Sequence, residues 1–133
     1  MSDTLKKMFE NQKMFNNRVG VPTDRELTDE ELTQWLGHMI AAISNELEET
    51  REWTHWKWWK EYTEPIDKNK IKVELIDIWH FLMSACMFCG MDADEFVDMY
   101  QRKLALNNKR QDVGYNDQYE KVDSDGLEDN DKI

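Results

Sequence analysis

The chain has 133 residues, a length that fits one domain with its own core and is too short for two. Its formal net charge of −11 at pH 7 argues against binding to nucleic acid or to anionic membranes, since both need a basic protein surface. The chain has only two cysteines, and its sequence shows neither a basic and apolar leader nor an apolar run long enough to cross a bilayer. These features predict a cytosolic protein.

The first predicted helix covers residues 3–19, where apolar side chains recur every three or four positions. Gln12 and Asn16 fall among the apolar positions of this helix. They are either surface residues or a pair of amides that lines a polar pocket. Gly20 and Pro22 end the helix.

A second helix begins at the capping-box pattern of Thr28 and Glu31 and runs to about Arg51. Glu46 and Glu49 lie near its C-terminal end, where negative side chains oppose the helix dipole. Ordinary surface composition would place lysines there. The two acids are therefore either a solvated face or ligands of a cation.

The next segment holds four of the six tryptophans, from Trp53 to Trp59, with Lys57 and Lys60 between and after them. Rings of this size usually pack in a core. Aromatic rings beside lysines also suit a nucleotide, because a base stacks on the ring while a phosphate meets the ammonium. Both interpretations stay open.

A third helix follows a predicted N-cap at Asp67 and ends at Gly90. From Lys72 onward it is apolar on nearly every side, a pattern typical of a buried helix. It nevertheless carries Glu74 and Asp77 near its start. Ionised carboxylates taken out of water are costly unless a positive group meets them, so these two acids indicate a bound cation.

Two helices that each carry carboxylates three residues apart predict a site for Mg²⁺, with Mn²⁺ as an alternative, because these hard cations prefer oxygen ligands. The predicted ligands are Glu46, Glu49, Glu74 and Asp77. An alternative register would use Glu49 with Glu52 on the second helix.

Three further residues of the third helix could carry chemistry. His80 follows Asp77 by three positions and is either a hydrogen-bonded core residue or a part of the site. Cys86 and Cys89 have the spacing of a redox or zinc motif. Redox pairs lie at helix N-termini, and zinc needs two further ligands, so both cysteines are predicted to be buried free thiols.

The last helix is predicted over residues 93–109, with Asp92 and Glu95 as its capping box. We place the end of the domain at residue 115. The tail, residues 116–133, holds seven acids against two lysines and few large apolar residues, a composition that predicts disorder.

Four segments together resemble the all-α nucleotide pyrophosphohydrolases, a MazG-like superfamily. Within it they are most similar to the dimeric dUTPases, including the phage dCTPase/dUTPase branch. The segments are QKMFNNRV (12–19), NELEE with WKWWK (45–49 and 56–60), KVELIDIWHF (72–81) and KLALNNKRQDVGY (103–115).

The resemblance implies an all-α, four-helix domain that forms a homodimer. Its implied reaction is Mg²⁺-dependent hydrolysis of dUTP, and secondarily dCTP, to the nucleoside monophosphate and pyrophosphate. The implied metal ligands are Glu46, Glu49, Glu74 and Asp77, with Glu46 and Glu49 also orienting the attacking water and Glu52 as an accessory acid. The implied substrate residues are Gln12, Asn16 and Trp59 facing the base, Phe81 stacked on it, His80 and Asn107 near the sugar, and Lys60, Lys103, Arg110 and Tyr115 at the phosphates.

Two alternatives stay open. One is a MazG-type house-cleaning hydrolase with broader or purine specificity. The other is a non-catalytic acidic regulator or decoy that binds a basic partner. The family commonly has Lys-Asn where this chain has Lys103 and Leu104, a departure that bears on the choice of substrate. The expected location is the cytoplasm, that of the host if the chain is phage-encoded.

Overall fold

The computed structural model describes residues 2–114, 121–122 and 127–133. Its helices are α1 (Ser2–Val19), α2 (Asp29–Glu52), α3 (Lys68–Phe88) and α4 (Ala93–Asp112), followed by a short 3-10 helix at Asp129–Lys132. Within these ranges there is no strand, and one isolated antiparallel bridge joins Val122 to Glu128. The predicted all-α class and its four helices are confirmed.

The helices begin where side chains satisfy the unpaired amide groups of a first turn. At α2, the Thr28 hydroxyl accepts from the Glu31 amide, and the Glu31 carboxylate accepts from the Thr28 amide, each at 3.2 Å. Asp67 and Asp92 cap α3 and α4 through their carboxylates, which accept from backbone amides of the first turn; for Asp92 this is the Glu95 amide, one of the two bonds of the predicted capping box. These caps match the residues that the sequence predicts.

Gly90 ends α3 in the left-handed region, with φ at 77°. Its amide donates to the Met87 carbonyl at 3.0 Å, and the Met91 amide donates to the Cys86 carbonyl at 3.1 Å. This pair of bonds closes the helix and favours glycine, the residue that adopts such a φ without strain. The chain then turns directly into α4.

The core joins three helices. Phe9 of α1, Met83 of α3 and Ala93 at the start of α4 are buried together. Phe96 packs against both Phe9 and Trp79, with ring centroids 6.0 and 5.8 Å apart. Since α2 packs mainly against α3, the third helix contacts both halves of the fold and positions the residues of the site.

The burial predicted for α3 is only partly correct. Met83 is buried, but Val73 and Ile76 are more than half exposed, as are Ile40 and Leu47 on α2. Neighbouring helices cover only part of the circumference of α3, so an apolar strip stays at the surface. No single described helix is long and apolar enough to span a membrane; α3 and α4 meet that test only jointly, and a bend of 100° separates them.

The tryptophan-rich segment lies between α2 and α3. Trp58 is 87% exposed and Trp59 62% exposed, so of the two interpretations left open, core packing is excluded for these two rings. They pack on each other edge to face, with centroids 5.5 Å apart. The reason is their place on a connection that crosses the surface, whereas Trp79 on α3 reaches the core.

Both cysteines are free thiols, as predicted. Cys86 is partly buried, and burial raises the pKa of its thiol. Cys89 is exposed, which corrects the expectation that both thiols are buried. It is the C-cap residue of α3, where the helix leaves the packed part of the fold.

The described part of the tail packs on α4 through the 3-10 helix. Arg110 donates two hydrogen bonds to Asp129, and Lys103 donates to Asn130. For residues 127–133 the expected disorder is therefore replaced by a short helix, because the tail acids find cations on α4. Residues 115–120 and 123–126 lie outside the described residues, and the domain boundary at residue 115 stays a prediction.

Candidate active site

Three of the four predicted metal ligands meet between α2 and α3. Glu46, Glu74 and Asp77 each offer a carboxylate oxygen, and these atoms lie within 4.8 Å of one another. Glu46 belongs to the last turns of α2, whereas Glu74 and Asp77 are one turn apart on α3. Such a group of oxygen atoms can hold a divalent cation.

Among the residues that the structure describes, no lysine or arginine forms an ion pair with the acid cluster of Glu46, Glu74 and Asp77. A hydrogen bond with Glu74 raises the pKa of Glu46 from its ordinary value of 4.5 to about 7, helped by burial and by the charges of Glu49, Glu74 and Asp77. The same contact lowers the pKa of Glu74. When both carboxylates are ionised neither can donate, and Glu46 Oε2 is buried without a hydrogen-bond partner among the described residues. A bound cation would satisfy this atom.

Glu49 borders the acid cluster from the solvent side. Its Oε1 accepts from the Asn45 amide at 3.2 Å, and its charge contributes to the raised pKa of Glu46. Glu52 is exposed at the last position of α2. The structure therefore brings Glu46, and not Glu52, to the acids of α3. This arrangement favours the pair Glu46 and Glu49 over the alternative pair Glu49 and Glu52.

Trp53, the C-cap residue of α2, also contacts the acid cluster. Its indole Nε1 donates to Glu74 Oε1 at 3.2 Å. The Lys70 ammonium lies 4.2 Å from the centroid of the same ring. The ring thus links a cation to one side of Glu74 and fixes the orientation of that carboxylate.

A cavity of about 630 Å³ opens next to the acids, and Asp77 lies on its wall. Most of the wall comes from α1 and α3. Gln12, Asn16, His80 and Phe81 all line it, together with apolar side chains. Its volume falls in the range of about 300–1,000 Å³ that is usual for small-molecule sites. Asp77 is the residue shared by the acid cluster and the cavity.

Gln12, Asn16, His80 and Ser84 form the polar side of the cavity. Together with Thr23, which bonds to Asn16, they make a chain of hydrogen bonds that we call the amide relay. Asn16 Nδ2 donates to Ser84 Oγ at 3.0 Å and to Thr23 Oγ1 at 3.3 Å. Gln12 Nε2 donates to Asn16 Oδ1 at 3.0 Å, and Gln12 Oε1 lies 2.6 Å from His80 Nδ1. Gln12 and Asn16 are 7% and 3% exposed, which excludes the surface interpretation of both amides.

The sequence model of the dUTPase family matches residues 4–91 of this chain. The chain belongs to the dUTPase family. The matched part contains the acid cluster and the whole amide relay, whereas α4 lies beyond it.

Curated relatives of this dUTPase-family chain come from phages. It is 38% identical over 94 residues to the dCTP pyrophosphatase of Enterobacteria phage LZ5, covering 62% of this chain and 54% of that protein. It is 32% identical over 101 residues to the dCTP pyrophosphatase of Enterobacteria phage T4, covering 68% and 58%. The chain thus spans little more than half the length of these two relatives. No solved structure matches it.

Trp59 and Lys60, expected at the base and the phosphates, lie outside the cavity in this dUTPase-family chain. Trp59 contacts the neighbouring indoles of Trp56 and Trp58. The Lys60 ammonium lies 5.5 Å from the centroid of the Tyr62 ring. Their predicted contacts with a substrate require the exposed segment to approach the cavity.

The residues of α4 expected to contact substrate also lie away from the cavity wall. Lys103 and Arg110 are engaged by Asn130 and Asp129, and Asn107 is exposed. Tyr115 lies outside the described residues. Their roles at the phosphates and the sugar stay predictions.

A second cavity, of about 790 Å³, lies between α1 and the turn from α3 to α4. Its wall includes Asp24, Arg25 and Cys89 and none of the predicted site residues. Arg25 forms an ion pair with Glu31 and lowers the pKa of that carboxyl to about 2. We place the site at the smaller cavity because the acid cluster adjoins only that one.

Sequence reasoning missed three residues of the site. Ser84 is buried on the polar wall, and a serine within an apolar helix was the signal that could have found it. Thr23 follows α1 in a connection and carries no comparable signal. Trp53 was one of four clustered tryptophans, and only the fold shows which of them meets an acid.

Proposed function

We propose that this chain hydrolyses dUTP and dCTP to the nucleoside monophosphate and pyrophosphate in the presence of Mg²⁺. The observation that carries the proposal is the meeting of Glu46, Glu74 and Asp77 at the edge of a cavity lined by Gln12 and Asn16. A triphosphate bears about four negative charges, so it cannot approach these acids without a cation. The names of the dUTPase family and of the phage dCTP pyrophosphatases support this substrate class.

The residues present fit a divalent cation. Glu46, Glu74 and Asp77 supply hard oxygen atoms, and the unpartnered Glu46 Oε2 needs a positive group. When bound, Mg²⁺ would neutralise phosphate charge and polarise the α-phosphorus towards attack by water. Mn²⁺ has similar ligand preferences and is the alternative cation.

We assign to the acids of α2 the role of orienting the attacking water and accepting its proton. Glu49 is exposed at the edge of the acid cluster, where its carboxylate contacts both Asn45 and Glu74 and can be reached by water. Glu46, one turn earlier on the same helix, is the second acid that can help to orient the water. A carboxylate held at this place can orient a water molecule and take its proton as the bond to phosphorus forms.

The cavity would hold the nucleoside. Phe81 offers a ring for stacking, Gln12 and Asn16 offer amides to the base, and His80 lies on the same wall for the sugar. Asp77 joins this wall to the acid cluster, so a base in the cavity would direct its phosphates towards the acids. Lys60, Lys103 and Arg110 would then stabilise charge on the departing pyrophosphate.

We further propose that two copies of the chain associate. The apolar strip formed by Ile40, Leu47, Val73 and Ile76 is exposed in a single chain, and exposed apolar patches commonly mark interfaces. A second copy that covers this strip would pack on the helices that carry the acids. Sedimentation should then give twice the mass of one chain, and Val73→Glu should reduce the measured mass to that of a monomer.

Release of pyrophosphate from dUTP, dCTP, dTTP, dATP, dGTP and UTP, with Mg²⁺ and with a chelator, tests the reaction. We expect turnover of dUTP and dCTP that the chelator abolishes. Hydrolysis of purine nucleotides would instead favour the broad MazG-type hydrolase. No hydrolysis of any nucleotide, together with no effect of Mg²⁺ on thermal stability, would favour the acidic regulator. If the chain acts in a phage-infected cell, its site of action would be the host cytoplasm.

A further inference from the structure

Ser84 occupies the end of the amide relay, and its single hydroxyl proton is already committed. The side chain is 2% exposed. Its Oγ donates to the His80 carbonyl one turn earlier on α3, at 3.3 Å. A hydroxyl has one proton and two lone pairs, so Ser84 can only accept from its other neighbours.

This commitment fixes the direction of every bond along the relay. Asn16 must turn its Nδ2 towards Ser84, which leaves Oδ1 for Gln12. Gln12 must then present Nε2 to Asn16 and Oε1 to His80, so the Nδ1 of His80 carries the proton. One buried hydroxyl thereby determines which atom each amide can offer to a ligand.

The donors of both amides are used within the protein. The two protons of Asn16 Nδ2 go to Ser84 and Thr23. Those of Gln12 Nε2 go to Asn16 and, at 3.5 Å, to Ser84. Each amide oxygen accepts one bond from these partners and keeps a second lone pair. Towards a base, the two amides can therefore only accept hydrogen bonds, through their oxygen atoms.

We infer that Ser84 is a positioning residue that makes the cavity select cytosine over uracil. The inference rests on the proposed function, in that it takes the base to lie in this cavity. Cytosine carries an exocyclic amine, with two donors, where uracil carries a carbonyl oxygen. At position 4 of the ring, an acceptor wall pairs with the amine of cytosine and leaves the carbonyl of uracil unpaired, which is costly in a buried site. The order of substrates implied by the resemblance, with dUTP first, is then reversed.

Binding of dCMP and dUMP, measured by calorimetry, tests the inference without requiring turnover. We expect the native chain to bind dCMP about tenfold or more tighter than dUMP, the effect of about one hydrogen bond. Ser84→Ala frees Asn16 to rotate by 180°, so the ratio of the two affinities should fall to near unity. Thr23 lies outside the helices, and Thr23→Val removes the second acceptor of Asn16. This variant should lower the ratio by a smaller factor, and it replaces Ser84→Ala as the test if Ser84→Ala does not fold.

The matched control is Thr33→Ala. The Thr33 hydroxyl donates to the Asp29 carbonyl one turn earlier on α2, at 2.8 Å, but it is exposed and belongs neither to the relay nor to the cavity wall. This variant should keep the native ratio.

Three results would overturn the inference: no preference for dCMP in the native chain, an unchanged ratio when Ser84→Ala weakens both nucleotides equally, or no binding of either nucleotide. Selective binding of dCMP that depends on Ser84, but without hydrolysis of dCTP or dUTP, would support the inference and contradict the proposed function.

Discussion

Arg110 and Asp129 form a two-bond salt bridge between α4 and the C-terminal 3-10 helix. Arg110 Nε donates to Oδ2 at 2.9 Å, and a terminal nitrogen donates to Oδ1 at 2.5 Å. The two side chains are only 11% and 15% exposed. Arg110 is also one of the cations predicted to hold phosphate, so in that role the tail carboxylate and a substrate would compete for one guanidinium.

Asp129→Asn should therefore tighten the binding of substrate while it destabilises the free protein. Removing the charge weakens bonds worth about 1.5–3 kcal/mol to a charged group, which lowers the thermal midpoint. It also weakens the hold of the tail on Arg110, which keeps its bond to Asn130, so a phosphate competes better for the guanidinium and we expect a lower KM for dCTP. Asp98→Asn, which breaks the exposed ion pair with Arg102 on the same helix, is the control and should change neither quantity. An unchanged KM in Asp129→Asn would remove Arg110 from the phosphate site.

Glu49→Gln should leave the fold intact and abolish turnover. The amide keeps the size of the side chain but cannot take a proton from water, so we expect kcat to fall by about a hundredfold or more. Glu48→Gln is the matched control, because Glu48 is the preceding residue, is exposed and pairs only weakly with Arg51 at 3.3 Å. Circular dichroism verifies folding in both variants. A folded Glu49→Gln with the native rate would contradict the role given to Glu49.

Binding of Mg²⁺ should strengthen as the pH rises towards 7. The pKa of Glu46 is raised to about 7 by Glu74, so below that pH a cation must displace a proton. We expect the affinity for Mg²⁺ to increase up to about tenfold per pH unit between pH 5 and 7 and to level off above, measured by calorimetry. Glu46→Gln should weaken binding and flatten this profile. An affinity of the native chain that does not change between pH 5 and 8 would show that Glu46 is not a ligand.

The same pKa shift has an opposite consequence for the metal-free protein. A raised pKa means that the folded state binds the Glu46 proton more tightly than the unfolded state does. The contribution of Glu46 to stability is thus fully present below its ordinary value of 4.5 and is lost as the pH rises to about 7. The lowered pKa of Glu74 acts in the other direction, and its contribution is lost as the pH falls below 4.5. Added Mg²⁺ should restore the stability lost near neutral pH.

Trp53→Phe should weaken Mg²⁺ binding without removing a ligand. The substitution deletes the indole donor that holds Glu74 at 3.2 Å but keeps an aromatic ring beside Lys70. Loss of an outer partner of a metal ligand typically costs about 10–100-fold in affinity, and we expect the lower end of that range because Trp53 is partly exposed. Trp58→Phe is the control, since its ring is the most exposed of the cluster. Equal affinities in the two variants would exclude a role for the Trp53 bond.

Much of the fold follows from local signals. The caps at Thr28, Asp67 and Asp92, and the stop at Gly90, depend on residues within one helical turn, so the sequence shows them directly. The exposure of Trp59 and of the apolar strip could not be predicted in this way. Whether such a side chain is covered depends on which elements lie above it, and that is a property of the packed chain.

The sequence by itself determined that two acids lie on one face of a largely apolar helix, because Glu74 and Asp77 are three residues apart, and this pattern predicts a bound cation. Only the tertiary structure decided which acid of α2 joins them and what lies beside them. Ser84 and Asn16, 68 positions apart, are hydrogen-bonded to each other in the wall of the cavity. The direction of an amide depends on the partners that folding brings within about 3 Å of it, and no spacing along the chain records that direction.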